Sequence, residues 1–348
     1  MRTLLRWAIV VAVTCLPNVM WAASGISLSV TANASGAAIL AGTMTVGNVN
    51  GLGVGTASTG ISIVSTGVAN GVLYTSPYDL NVTLSGSEKN SNVNITAQVT
   101  TNFLHPTMLV VKNCQPGSCN SGGSFTTVPT AGSINVVPQT FVGTTHTFTP
   151  YIAAFVSNAN GTTYTGPDLV TITFTANDGA STATATLTLT VSVENAVQLT
   201  LGTAPGGLTI TPASNYSANF GNVNALGVGN ASAGLTKIAA ANGTIYSTPY
   251  LIQPVFSDFS ATTGSVKMFV STNFGNTTVL ELDDASACCA AGSFTAMPTT
   301  SPGTAQISGI SSGSSITRYL GLRVKKANGA AGLIGADTAT VTYTLTVP

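Results

Sequence analysis

Apolar and polar residues alternate with a period of two along much of this chain. Val341, Tyr343, Leu345 and Val347 alternate with Thr340, Thr342, Thr344 and Thr346. Val170, Ile172 and Phe174 alternate with Thr171, Thr173 and Thr175, and Leu187, Leu189, Val191 and Val193 alternate with Thr and Ser. Ile26, Leu28 and Val30 repeat the pattern near the start, and Val197, Leu199 and Leu201 repeat it past the middle. Successive side chains of a strand point to opposite faces, and β-branched residues suit a pleated surface. The pattern therefore predicts half-buried antiparallel strands. Asn177-Asp178-Gly179, set between two such runs, predicts a hairpin turn. No window past the N-terminal segment has a helical period. Short strands separated by Gly, Asn, Ser and Pro predict an all-β protein, a β-sandwich ahead of a closed barrel.

The strand pattern occurs twice. Gly47-Asn48-Val49-Asn50-Gly51-Leu52-Gly53-Val54-Gly55 returns as Gly221-Asn222-Val223-Asn224-Ala225-Leu226-Gly227-Val228-Gly229. Asn70-Gly71 returns as Asn242-Gly243, Ser76-Pro77-Tyr78 as Thr248-Pro249-Tyr250, Thr101-Asn102-Phe103 as Thr272-Asn273-Phe274, and Gly123-Ser124-Phe125-Thr126 as Gly292-Ser293-Phe294-Thr295. Asp168 and its strand return as Asp337 and its strand. The offset falls from 174 (221 − 47) to 169 (337 − 168) along the way, so the second copy is the shorter. Units of this length hold their own cores, unlike solenoid repeats. The expected organisation is a segment 1–23, a first β-sandwich domain 24–194 and a second, 195–348. The extra length of the first copy, including the hairpin at Asn177, hints that the two have diverged.

The segment 1–23 has Arg2 and Arg6, an apolar run from Trp7 to Leu16, and the small residues Ala22 and Ala23. This order predicts a secretory signal peptide cleaved near Ala22 or Ala23, with a run too short for a stable membrane span. Thr14 before Cys15 is a poor match to a lipoprotein site. No later stretch is apolar enough to span a bilayer. Only 6% of residues are charged and the formal net charge is zero. The densest basic group, Arg323, Lys325 and Lys326, is a strand face rather than a nucleic-acid patch. With 44% hydrophobic residues recurring periodically, the chain is not expected to be disordered. Low charge also weakens the usual defence against edge-to-edge strand pairing.

Signal removal leaves Cys114, Cys119, Cys288 and Cys289. In an exported protein these are expected to be oxidised. Cys114 and Cys119 could close a small loop; the adjacent Cys288 and Cys289 would form a strained ring if bonded to each other, and pairing elsewhere is open. No metal site, cofactor or catalytic residue is expected. Gly309-Ile310-Ser311-Ser312-Gly313 matches a hydrolase nucleophile pattern, yet no histidine follows His146 to complete a triad. Gly51, Gly53 and Gly55 lack the helix a dinucleotide loop opens. Asp283-Asp284 could bind calcium from a loop, although a solvated loop is preferred. His105 and His146 have no evident carboxylate partner. Tyr74, Tyr78, Tyr246 and Tyr250 occupy matched positions, which favours packing over a sugar-stacking surface.

Asn219-Phe220-Gly221-Asn222-Val223 resembles the phenylalanine-glycine opening of spore-coat-U-type and related pilin-like domains, and of immunoglobulin-like domains that open similarly. The ending Arg318-Tyr319-Leu320-Gly321-Leu322-Arg323, then Gly335-Ala336-Asp337-Thr338-Ala339-Thr340-Val341-Thr342-Tyr343, is similar to their last two strands. Tyr151 and Asp168 to Thr175 give a looser version in the first copy. The resemblance implies two tandem immunoglobulin-like or pilin-like antiparallel β-sandwiches in a surface fibre exported through a chaperone–usher route. Its partners would be further subunits or copies of itself, with a periplasmic chaperone in transit. Such domains lend or accept a β-strand, which makes Ile26, Leu28 and Val30 the candidate donor strand, or else the first strand of their own domain. The expected function is an exported structural or adhesive cell-surface protein, not an enzyme; the alternative is a secreted glycan-binding module.

Overall fold

The computed structural model describes residues 25–117, 119, 122–161, 166–211, 216–301, 304–326 and 335–348. The expected signal peptide, with Cys15, lies outside the described residues. The described residues form strands and short 3-10 turns. The first copy holds β1 (Gly25–Ala32), β2 (Ile39–Leu40), β3 (Thr43–Val49), β4 (Ser62–Val64), β5 (Gly71–Ser85), β6 (Ser91–Thr101), β7 (Leu109–Cys114), β8 (Thr126–Thr127), β9 (Ile134–Val142), β10 (Thr145–Phe148), β11 (Tyr151–Ser157), β12 (Gly166–Asn177) and β13 (Thr182–Val193). The second holds β14 (Ala196–Thr203), β15 (Thr236–Ala240), β16 (Gly243–Ser257), β17 (Thr263–Thr272), β18 (Leu280–Ala285), β19 (Thr295–Ala296), β20 (Thr304–Ser311), β21 (Ile316–Lys325) and β22 (Thr340–Thr346).

Each copy builds two sheets. In the first, β1-β5-β11-β7-β8, with β4 and β10 also on β5, faces β2-β3-β13-β12-β6-β9. In the second, β14-β16-β21-β18-β19, with β15 on β16, faces β20-β17-β22. The architecture is all-β and sandwich-like, as the period-two pattern predicts. Pairing is antiparallel except that β3 and β13 run parallel. The expected hairpin at Asn177 forms, with Asn177 opposite Thr182 and the Gly179 N–H donating to Asn177 Oδ1 (2.6 Å).

The inward residues of the alternating runs make the core. Ile172, Phe174, Leu187, Leu189 and Val191 are fully buried between the sheets of the first copy. The four matched tyrosines are core residues, exposed by at most 2%. Each needs a partner for its hydroxyl, since a buried polar group left unpaired is costly. Tyr74 Oη donates to Asn50 O (2.8 Å) and accepts from the Asn50 N–H (3.1 Å). Tyr246 makes the same pair with Asn224, at 2.8 and 3.1 Å. Tyr78 Oη accepts from Asn113 Nδ2 (2.7 Å), and its ring lies 5.5 Å from Phe174.

A carboxylate at the start of each late strand pins a distant loop. Asp168 accepts from the N–H groups of Leu104 (3.1 Å), His105 (3.2 Å) and Leu169 (2.7 Å). Asp337 accepts from Gly275 (3.0 Å), Asn276 (3.2 Å) and Thr338 (2.9 Å). His105 Nδ1 stands 3.5 Å from Asp168, which corrects the expectation that it lacks a carboxylate neighbour. The hydrogen bonds from Gly275, Asn276 and Thr338 hold the Asp337 carboxyl below its ordinary range.

The two copies meet at a polar junction. The Gly51 N–H donates to Asp258 Oδ2 (3.0 Å), and Ser257 Oγ donates to the same oxygen (2.7 Å). Asn160 Nδ2 donates to Phe256 O (2.9 Å), the Phe259 N–H to Asn160 Oδ1 (3.2 Å), and the Gly161 N–H to Phe259 O (2.9 Å). Gly51 is required here: a Cβ would collide with the backbone of Ser157 and Asn158. Burial pushes the Asp258 carboxyl above its ordinary range.

Two outcomes follow for the pinning carboxylates. Asp168→Ala orphans backbone donors and is expected to cost about 1–3 kcal/mol of stability in denaturant titration. Asp337 has a lowered folded-state pKa. Its contribution is therefore present above the ordinary carboxylate range and lost as pH falls through the folded value. The melting-temperature gap between wild type and Asp337→Asn is expected to narrow between about pH 6 and about pH 2; a gap constant across that range would show that the charge is not what holds the loop.

Candidate functional site

The copies match strand for strand at one face and differ at one edge. Asp168 aligns with Asp337, so Ile172, Phe174 and Ala176 of β12 align with Val341, Tyr343 and Leu345 of β22. The ring contact between Tyr78 and Phe174 recurs between Tyr250 and Tyr343, with centroids 6.0 Å apart. In the first copy β12 pairs with β6 on one side and with β13 on the other, from Gly166 opposite Val193 to Asn177 opposite Thr182. In the second copy β22 pairs with β17, and no strand among the described residues pairs with its other side.

This open edge changes what surrounds it. Ile172, Phe174 and Ala176 are fully buried, whereas Val341, Tyr343 and Leu345 are half-buried. β3 is a strand because β13 gives it a ladder partner. Residues 217–223, its counterpart, make only isolated bridges from Ser217 to Thr211 and from Gly221 to Ala231. Val46 is 1% exposed, while Phe220 at the matching position is half-buried. The result is an apolar groove between β14 and β22, lined by Leu199, Leu201, Val341, Tyr343 and Leu345, which belong to one hydrophobic cluster. In the first copy Leu187, Leu189, Val191 and Val193 of β13 fill the corresponding space.

An ion pair lies beneath the groove. The Arg318 guanidinium pairs with the buried Asp284 carboxylate, and Tyr250 Oη donates to Asp284 Oδ1 (3.4 Å). Burial holds the Tyr250 hydroxyl well above its ordinary range. Asn113 and Tyr78 make the uncharged version of this contact in the first copy. On the outer face Arg323 Nη2 stands 2.6 Å from Asp283, and Lys325 Nζ 2.5 Å from Glu281. The expectation of a solvated, calcium-capable loop at Asp283-Asp284 is therefore corrected. Both residues lie on β18, both are buried, and both are committed to arginines. Burial pushes Asp283 up to about 6 despite its arginine. Among the described residues no group of three or more His, Cys, Asp or Glu gathers to hold a metal ion.

The other expected residues fall elsewhere. Cys114 is bonded to Cys119, and Cys288 to Cys289. Both pairs lie by the first sheet of their copy, away from the groove. Ile26, Leu28 and Val30 are half-buried on β1, which pairs within the chain along β5, from Gly25 opposite Ser85 to Ala32 opposite Tyr78. Burial of the four tyrosines removes them as a sugar-stacking surface. Ser311 ends β20 and begins no helix. The open edge itself was missed by sequence reasoning. Nothing in the period-two pattern of β22 itself distinguishes an open side from a paired one.

No protein-family model and no curated protein matches the chain. Among solved structures it is similar to the CooA pilin subunit from enterotoxigenic Escherichia coli, with TM-score 0.26, 9% identity, and 48% of this chain and 99% of that chain covered. It is also similar to a chain of the chaperone–tip adhesin complex of CFA/I fimbriae biogenesis, with TM-score 0.26, 10% identity and 92% and 83% covered. The CupB6 tip adhesin from Pseudomonas aeruginosa matches with TM-score 0.33, 9% identity and 92% and 95% covered.

Proposed function

We propose that the chain is an exported structural or adhesive component of the cell surface, a fibre subunit that assembles by β-strand pairing with its second copy as the strand acceptor. The observation that carries this reading is the open side of β22. The first copy supplies the template for what covers it: a strand antiparallel to the late strand with an apolar residue at every second position, Leu189 and Leu187 opposite Val170 and Ile172, then Ala185 and Ala183 opposite Phe174 and Ala176. Such a strand gains ladder hydrogen bonds from the free backbone of β22. Each side chain it seats in the groove contributes about 1.5–3 kcal/mol of apolar burial. Ile26, Leu28 and Val30 of a neighbouring subunit have the required spacing and size. Until assembly the groove exposes apolar surface, which gives a periplasmic chaperone something to cover.

Fusing a second copy of the sequence Thr182–Val193 behind Pro348 through a short turn is expected to close the groove. The melting temperature of the second copy should rise by on the order of 10 °C, at roughly 2–4 °C per kcal/mol for a domain of this size. Self-assembly, read by negative-stain microscopy and size-exclusion chromatography, should stop. If neither property moves, the open edge is not an acceptor.

Deleting residues 24–31 tests the donor separately. Loss of assembly, together with continued binding of a free Thr182–Val193 peptide by the shortened chain, is the expected result. Assembly that survives in a merely destabilised monomer would show that β1 serves only its own fold.

A further inference from the structure

We propose that the loop Asn224–Gly229 is a docking surface for a second copy of this chain, which it meets through that copy's corner Ser85–Glu88. The inference rests on the strand-acceptor reading and adds the contact that orients the incoming subunit.

The chain contains its own template for this contact. In the first copy, Asn50 Oδ1 accepts from the N–H groups of Leu52 (3.1 Å) and Val54 (3.2 Å), and the Gly53 N–H donates to Asn50 O (3.2 Å). In the second copy, Asn224 Oδ1 accepts from Leu226 (3.1 Å) and Val228 (3.2 Å), and Gly227 donates to Asn224 O (3.2 Å). A tyrosine hydroxyl anchors each asparagine from below at the same two distances. The two loops are one preorganised shape made twice.

Only the first is occupied. Its Gly51 N–H is bonded to Asp258 at the junction, and Leu52 is half-buried. In the second loop the Ala225 N–H, matching that of Gly51, donates to no acceptor among the described residues. Leu226 is 71% exposed where Leu52 is half-buried, while Val228 (78%) and its match Val54 (62%) are exposed in both loops. The exposed Leu226 on a rigid tip, beside a donor with no acceptor among the described residues, makes a contact surface.

The partner follows from what fills the first loop. Asp258 sits just past β16 in the left-handed region, at φ 66°. The matching residue past β5 is Gly86, at φ 63°. This first-copy corner shares the left-handed residue and continues into a 3-10 turn, Gly86–Glu88, which carries the Glu88 carboxylate. The corner of one chain set on the second loop of another would repeat the internal junction between chains, with Glu88 as acceptor for the Ala225 N–H. β1 begins at the same corner, Gly25 lying opposite Ser85. The first residue of a lent strand thus lies beside the contact, while its tether at Ala32, opposite Tyr78, lies at the other end of β5. A head-to-tail contact of this kind does not close on itself and propagates as a filament.

The test is sedimentation velocity and amide exchange on the mature full-length chain under assembling conditions. Leu226→Ser and Glu88→Gln are each expected to weaken self-association about tenfold. Gly86→Asp, which copies Asp258, should strengthen it. Leu226→Ser and Glu88→Gln should leave melting unchanged, Gly86→Asp should lower it slightly because Gly86 sits at φ 63°, and all three should leave Thr182–Val193 peptide binding unchanged. Amides 225–228 should exchange more slowly in the assembly than in the monomer. Association indifferent to both Leu226→Ser and Glu88→Gln, or unprotected amides in the assembly, would sink the docking surface and leave strand acceptance standing. A chain that neither assembles nor binds the peptide would sink both.

Discussion

The edge of the late strand is the constraint on which the rest of each copy depends. A strand's backbone groups need partners along both sides, and its inward side chains need a lid. In the first copy β13 meets both needs at once. It completes the ladder of β12, gives β3 a partner and adds Leu187 and Leu189 to the core that holds Phe174. Where no such strand lies on β22, three effects appear together. Residues 217–223 do not form a ladder, Phe220 is half-buried, and Tyr343 loses the full burial that Phe174 enjoys. The lack of such a strand among the described residues accounts for all three.

What remains common to the copies is a set of polar fastenings that do not need that strand. The asparagine-tyrosine anchors hold one loop, and the Asp168 and Asp337 carboxylates hold another. Each satisfies several backbone donors through one side chain, which suits a chain with so few charges. The second copy can therefore keep its shape around an open groove. The charged Asp284–Arg318 pair in place of Asn113 fits the same picture. Both partners are buried, and their mutual hydrogen bonds together with the Tyr250 hydroxyl offset the cost of burying the charges.

Much of this was legible in the sequence, and the limits have physical causes. Period-two runs located the main strands, the Asn177 turn gave a hairpin, and the repeat set the matching tyrosines inside. Pattern cannot say what lies on a strand's second side: the hairpin pairs the Leu187 run with β12 but leaves its other neighbour open. The parallel pairing of β3 with β13 was hidden for that reason. Asp283 and Asp284 were misread because two adjacent acids suggest solvent. Only the register of β18 against β21 shows that Arg323 and Arg318 meet them from opposite faces. His105 gained its carboxylate the same way, through a contact spanning 63 positions.

An exposed edge strand invites pairing, and proteins that stay monomeric usually guard theirs with lysine, proline or an inward charge. β22 has none of these from Thr340 to Thr346; its outward residues are threonines. Threonine favours the extended backbone and packs across a ladder without repelling a neighbour. The low charge of the whole chain then acquires a local meaning. At this edge it leaves the backbone of β22 open to a strand and the half-buried Val341, Tyr343 and Leu345 open to its side chains. An edge so placed, over a groove whose complement the same chain displays as β13, has the chemistry of a surface made to be covered.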